Sequence, residues 1–116
     1  MSAVTATLRN CRVSARKARL VADQIRGKQV QQALDLLALS NKRIARPIRK
    51  LVKSALGNAD AKNDREKAGI DVDNLVVERI VVDEGASQWR IRARAQGRAN
   101  WIQRRTSHIT VELKER

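Results

Sequence analysis

The chain has 116 residues, with 25 Lys and Arg against 12 Asp and Glu, and a formal net charge of +13. That length suits one domain with a modest core rather than two, and the charge marks a surface made for a polyanion. A single Cys and a single His exclude an internal disulfide and a zinc finger; no apolar run approaches the roughly eighteen residues of a transmembrane helix.

In chain order, "MSAVTATLRN" lacks the apolar stretch of a signal peptide and the amphipathic Arg/Ser pattern of a transit peptide. The opening "AVTATLRNCRV" is β-branched and partly alternating, which predicts a strand. Cys11 within it reads as a small buried hydrophobe. Ser14 is placed as an N-cap, and Ala18, Val21, Ala22 and Ile25 then follow at helical spacing until Gly27. Arg16, Lys17, Arg19 and Arg26 cover the rest of that helix. A second, shorter helix repeats the spacing with Val30, Ala33, Leu34 and Leu37.

"SN" at 40–41 is expected to cap a third helix, whose apolar face is Ile44, Ile48, Leu51, Val52, Ala55 and Ala59. Pro47 conflicts with that start, because an interior proline removes a hydrogen bond and clashes with the carbonyl four residues back. Either the helix kinks there or its regular part begins nearer Arg46, and the later start is favoured. Residues 60–74, "DAKNDREKAGIDVDN", read as an acidic loop; "LVVERIVV" at 75–82 and "TSHITVEL" at 106–113 read as strands. On the last strand, Ile109, Val111 and Leu113 take one side and Thr106, His108, Thr110 and Glu112 the other. The expected fold class is α+β: a small antiparallel three-stranded sheet packed with three helices, plus a long protruding β-hairpin. Residues 1–116 form one domain, with the hairpin at about 83–106.

The charge is unevenly placed. Residues 60–84 hold eight acids against four bases, whereas 85–111 hold six arginines and no acid. Arginine outnumbers lysine seventeen to eight, which favours nucleic acid, since the guanidinium fork grips phosphate through two hydrogen bonds and stacks on bases. The 23 residues of "DEGASQWRIRARAQGRANWIQRR" are too many for a structureless loop in a compact domain. Trp89, Ile91, Ala93 and Ala95 share one parity and Arg90, Arg92 and Arg94 the other, so two strands extended into a ribbon would separate apolar from basic faces. Folding about residue 95 sets Trp89 opposite Trp101 and Val81 opposite Ile109, with the glycine of "AQG" free to take a positive φ. Each arm beyond Val82 then runs roughly 40 Å at ~3.3 Å per residue, so the end must project. A bare two-stranded ribbon is marginal in water, and RNA could complete this one by neutralising the arginines and packing on the tryptophans.

"SARKARLVADQIRGK" at 14–28, "SNKR…SALGNA" at 40–59, "VDEG" at 82–85 and "GRA…RRTSHITV" at 97–111 together resemble the large-subunit ribosomal protein L-twenty-two family in its bacterial form. The resemblance implies a structural constituent of the large ribosomal subunit that binds ribosomal RNA, aids subunit assembly and sends its hairpin to the wall of the peptide exit tunnel. It implies as partners ribosomal RNA, neighbouring ribosomal proteins and the nascent peptide near the tip. No cofactor, membrane or homo-oligomer is expected, and the location is cytoplasmic and ribosome-bound. Residues that match the family pattern are Arg16, Lys17, Arg19, Arg26 and Lys28 on the first helix, Arg90, Arg94, Gly97 and Arg98 on the hairpin, and Thr106, Ser107 and His108 on the last strand. Lys42, Arg43, Trp89, Arg92, Arg104 and Arg105 complete the expected RNA-binding set, with Arg46, Arg49, Lys50 and Lys53 on the third helix. Trp89, Arg90, Ile91, Arg92, Ala93, Arg94 and Ala95 are expected at the tip and tunnel wall. Ala93 stands where the family often has proline, and the two tryptophans differ from most members.

The rival binder is an architectural DNA protein with basic β-arms; such arms commonly wedge an apolar residue, often proline, between base steps, and Pro47 lies far from the tip, though Ile91 or a tryptophan could serve instead. An enzyme lacks its residues: adjacent Asp83 and Glu84 point to opposite faces of a strand, and no Gly-rich phosphate loop or metal-ligand cluster appears. With no Phe or Tyr, the aromatic sheet platform of an RRM is excluded too.

Overall fold

The computed structural model describes residues 3–67 and 69–115. The elements run β1 (Ala3–Cys11), α1 (Ala15–Ile25), α2 (Val30–Leu39), α3 (Ala45–Glu66), β2 (Leu75–Glu84), β3 (Gln88–Ala93), β4 (Ala99–Arg104) and β5 (Ser107–Glu115). β5 lies between β1 and β2 in an antiparallel sheet, while β3 and β4 pair only with each other. The α+β architecture expected from the sequence is the one that forms. The principal extents are 64 × 27 × 16 Å and the radius of gyration is 17.4 Å, against about 13 Å for a compact domain of this length. The excess is the ribbon of β3 and β4.

One layer of helices covers one face of the sheet. Ala18, Val21, Ala22 and Ile25 of α1, and Ile48, Leu51, Val52, Ala55 and Ala59 of α3, are buried against Val77, Ile80, Ile109, Val111 and Leu113. The helical spacing read from the sequence picks out these residues because side chains three and four apart share a face. Ser14 caps α1, its hydroxyl accepting from the Lys17 N–H at 3.4 Å, and Gly27 follows with φ 80°. The later start of α3 is also found. With Ile44 as N-cap, Pro47 occupies the first turn, where a backbone N–H would have no helical partner.

Two expectations about α3 fail. Ser40 does not cap it; the Ser40 hydroxyl accepts from the Lys42 N–H at 3.2 Å and shapes the preceding turn instead. Residues 60–66 belong to the helix rather than to a loop, and α3 ends only at Lys67, in a left-handed conformation with φ 49°. "DAKNDRE" is polar all round, so it shows no apolar stripe, but Ala, Lys, Arg and Glu propagate an existing helix at little cost. Asn63 then ties the helix end to the following segment through paired side-chain bonds with the Ile70 backbone, at 2.8 and 2.9 Å.

The free edge of β2 is covered by α1 and the residues after it. Gly27 N–H donates to the Val77 carbonyl at 2.8 Å, and Val77 N–H donates to the Lys28 carbonyl at 2.9 Å. Farther along, Arg26 Nη2 donates to the Ile80 carbonyl at 2.8 Å, while Arg19 donates to the Val82 carbonyl through Nη2 at 2.8 Å and Nε at 3.2 Å. Carbonyls on a sheet edge otherwise invite another strand. Here two guanidiniums occupy them and clip α1 to the strand that carries the ribbon.

Cys11 closes β1 partly buried, and that burial pushes its thiol pKa up. The thiolate is the reactive form. At pH 8 the folded chain should therefore react several-fold more slowly with a disulfide reagent than free cysteine does, and denaturant should abolish the difference. Equal rates in the folded state would contradict the packing of Cys11 at the core margin.

Candidate nucleic-acid interface

Two register irregularities set the pairing of the ribbon, and a third lies beside its root. Along β2 and β5, Val77 pairs with Leu113 but Arg79 pairs with Glu112, so Glu78 is an extra residue. Between Glu84↔Ser107 and Gln88↔Arg104, three residues on one strand face two on the other. A third irregularity lies in β1 between Leu8 and Cys11, where Asn10 has φ 58°. Each extra residue on the β2–β3 arm moves the pairing by one. The expected fold about residue 95 therefore holds only at the base of the sheet. Val81 faces Thr110, not Ile109, and Trp89 faces Gln103 while Trp101 faces Ile91.

The final register separates two faces. Trp89, Ile91 and Ala93 share one with Gln103, Trp101 and Ala99; Gln88, Arg90 and Arg92 share the other with Arg104, Ile102 and Asn100. The alternation expected for the arginines thus holds, and each strand arginine stands opposite a neutral residue, which limits like-charge repulsion within the ladder. The turn departs from that pattern. Arg94 N–H donates to the Arg98 carbonyl at 2.6 Å, setting two arginines across from each other, while Gln96 and Gly97 close the loop with φ 63° and 72°. Gly97 supplies the expected positive φ; Gln96 adopts one too, which costs a non-glycine residue.

The tip is therefore Arg94–Arg98. Ala93, Arg94 and Ala95 lie at or beside it, as expected, whereas Trp89, Arg90, Ile91 and Arg92 lie along the stem. Trp89 is near the root, roughly 23 Å from Gln96 at ~3.3 Å per residue, because the added residues pushed the turn toward the C-terminus.

All six arginines of the ribbon and its root are exposed. Arg90 donates to Gln88 Oε1 at 3.0 Å, and Arg105 donates to Gln103 Oε1 at 3.3 Å. Glutamine orients a guanidinium without cancelling its charge. Among the described residues the ion pair formed is Arg26 with Asp23, at 2.6 Å, and no carboxylate reaches the ribbon. A second basic surface surrounds the start of α3: Lys42, Arg43, Arg46, Lys50 and Lys53 are exposed, and Arg49 is half-buried. Cations at a helix N-terminus oppose the macrodipole, and the first turn of α3 holds no acid. Lys42, Arg46, Arg49 and Ser40 line a shallow cleft between α2 and α3, and Arg49 Nε is buried with no protein acceptor.

Several expected RNA-binding residues also make contacts within the fold. Arg19 and Arg26 hold the β2 edge, while Arg16, Lys17 and Lys28 keep exposed side chains. Thr106, Ser107 and His108 form the joint from which the ribbon leaves the sheet. The Thr106 hydroxyl donates to the Ala86 carbonyl at 2.6 Å, His108 Nδ1 accepts from the Asn10 N–H at 3.1 Å, and Ser107 is fully buried. Ser107 is thus not at a surface that RNA can reach in this fold, because it shares the inward face with Ile109 and Val111. Conversely, Arg12 was not singled out from the sequence. It is exposed directly after Cys11, which pairs with Ser107, and so lies at the ribbon root; basic residues at a strand end were the available signal.

Gly85 completes the joint. Its N–H donates to the Thr106 carbonyl at 2.9 Å, and a Cβ on it would lie 2.5 Å from Thr106 Oγ1 and 3.2 Å from the His108 ring. Gly85→Ala should destabilise the chain by about 1–3 kcal/mol through overpacking and raise amide exchange at Ala86 and Ser87. Unchanged thermal stability and exchange would contradict the close approach.

Among the described residues, no helix is long and apolar enough to cross a membrane, and no group of three or more His, Cys, Asp or Glu is placed to hold a metal ion. The family model described as Ribosomal protein L22p/L17e matches residues 6–114 of the chain.

Proposed function

The chain belongs to the Ribosomal protein L22p/L17e family, and on that premise we propose that its domain sits on the outside of the large ribosomal subunit while the ribbon threads RNA toward the peptide exit tunnel. The family establishes the coarser statement: this is a large-subunit ribosomal protein that binds ribosomal RNA among neighbouring ribosomal proteins, structural rather than enzymatic, and ribosome-bound in the cytoplasm or an organelle. The finer reading is a bacterial cytoplasmic protein, one copy per subunit, that helps the subunit assemble and meets the nascent peptide at its tip.

The observation that supports this reading is the ribbon itself: a two-stranded sheet that, among the described residues, has no other strand beside it and carries exposed arginines paired with no carboxylate. Such an element gains order from a polyanion around it. In this reading Arg90, Arg92, Arg94, Arg98, Arg104 and Arg105 bridge phosphates of separate RNA segments. Arg12, Arg16, Lys17, Lys28, Lys42, Arg43, Arg46, Arg49, Lys50 and Lys53 hold RNA backbone from outside, and Gly97 shapes the turn that passes between them.

The test is made on assembled ribosomes. The chain should remain with the large subunit through a high-salt wash. A photo-crosslinking residue introduced at Ala95 should label the nascent peptide of stalled ribosomes, whereas one at Lys62 on α3 should not. Labelling from Lys62 but not from Ala95 would overturn the proposed orientation.

A further inference from the structure

Beyond the arginines, the ribbon has a second chemistry that phosphate does not use. Trp89, Ile91 and Trp101 share one face and are 62, 62 and 66% exposed. Among the described residues, the other large exposed apolar side chains, Leu20, Leu36 and Leu39, lie on α1 and α2. Trp101 stands directly opposite Ile91, and Trp89 occupies the diagonal position to Trp101, roughly 7–8 Å away by the geometry of antiparallel pairs. Neither aromatic ring is used by the core, and both remain in water in the isolated chain.

We propose that this face seats unpaired nucleobases of ribosomal RNA, with Trp89 and Trp101 as stacking platforms that act separately from the phosphate contacts of the opposite face. The inference rests on the chain being an RNA-binding protein, which the family establishes, and adds the class of group that the apolar face takes. Charge selects the occupant. The segment 85–111 has six arginines and no acid, so a partner covering the tryptophans lies within reach of a dense positive field. A purely apolar protein surface would leave that field unanswered, whereas single-stranded RNA carries anionic phosphates and flat aromatic bases on the same chain. Residue type points the same way. A base offers a flat π face on which tryptophan stacks, and these are the chain's two Trp, Tyr or Phe residues. Tryptophan also stacks on any base, so no particular sequence is required.

The same two residues supply the readout. With two Trp and no Tyr, intrinsic emission reports this face. The full chain is titrated with a 12-nucleotide single-stranded RNA (length of order ten, chosen to span one or two binding sites) and with an abasic ribose-phosphate strand of equal length. The RNA should quench tryptophan emission; the abasic strand should bind through the arginines, with a salt-dependent affinity, and leave emission unchanged. Trp89→Leu and Trp101→Leu, which retain apolar bulk, should each weaken RNA binding about tenfold while leaving abasic-strand binding unaltered. The corresponding Phe variants should fall between. Because both side chains are exposed, an unchanged melting temperature keeps these comparisons interpretable.

Leu variants that bind both strands as the parent does would overturn the proposal, as would equal quenching by the abasic strand; either result leaves the phosphate-binding role of the arginines standing. Emission that responds to neighbouring ribosomal proteins but not to RNA would assign the face to a protein and likewise overturn it. Failure of the parent chain to bind either strand would instead count against the ribbon as an RNA-contacting arm, and against this inference with it.

Discussion

Replacing Arg90, Arg92, Arg94 and Arg98 together by glutamine makes the salt dependence of ribosomal RNA binding shallower by about 2.8 logarithmic units per decade of salt. The figure follows from four phosphate contacts, each releasing about 0.7 counterion from a single strand. Between about 50 and 200 mM salt, the parent then loses roughly 50-fold more affinity than the variant. At the lower salt the variant binds at least ~100-fold more weakly, because charge-assisted hydrogen bonds to phosphate are replaced by neutral ones. The fold is not the cause of this loss. All four side chains are exposed and none pairs with a carboxylate among the described residues, so their removal relieves repulsion, and the melting temperature should stay constant or rise. Filter binding at several salt concentrations checks the slope, and calorimetry checks the fold. Parallel binding lines for parent and variant would remove the ribbon arginines from the phosphate interface.

Ile109→Ala has the largest expected effect on stability. Ile109 is fully buried on the central strand, where it pairs with Leu8 on one side and Val82 on the other. The truncation leaves a cavity that β5 cannot collapse around, since it is hydrogen-bonded along both edges. The expected loss is about 2–5 kcal/mol, from a total of about 5–15 kcal/mol for a domain. The melting temperature should fall by roughly 8–20 °C. Thr110→Ala is the internal control: one residue on, it faces away from the helices and is half-buried beside Thr7, and it should cost about 0.5 kcal/mol or less. Similar losses for the two variants would contradict the assignment of β5 faces.

The same strand shows what local pattern can and cannot reveal. Its inward residues, Ile109, Val111 and Leu113, were legible because alternation is a local property that burial on one face imposes. The apolar faces of α1, α2 and the first half of α3 were legible for the corresponding helical reason. The second half of α3 was not, since a helix already nucleated and packed can continue through polar residues that bury nothing. Within the interface, the basic ribbon was legible from its missing acids and alternating arginines. The engagement of Arg19 and Arg26 was not, because an arginine that faces RNA and an arginine that caps a strand edge look alike in sequence.

By itself, then, the sequence determined that a positively charged β-ribbon with one arginine face projects from a small α+β core. Charge and periodicity are carried by the residues themselves and survive any choice of neighbours. The tertiary structure decided which arginines remain free and where the turn falls. Glu78 and the 85–87 segment each add one unpaired residue, and such a bulge leaves no periodic trace yet shifts every pair beyond it. Likewise, only the packing of α1 beside β2 brings two guanidiniums within hydrogen-bonding reach of the Ile80 and Val82 carbonyls.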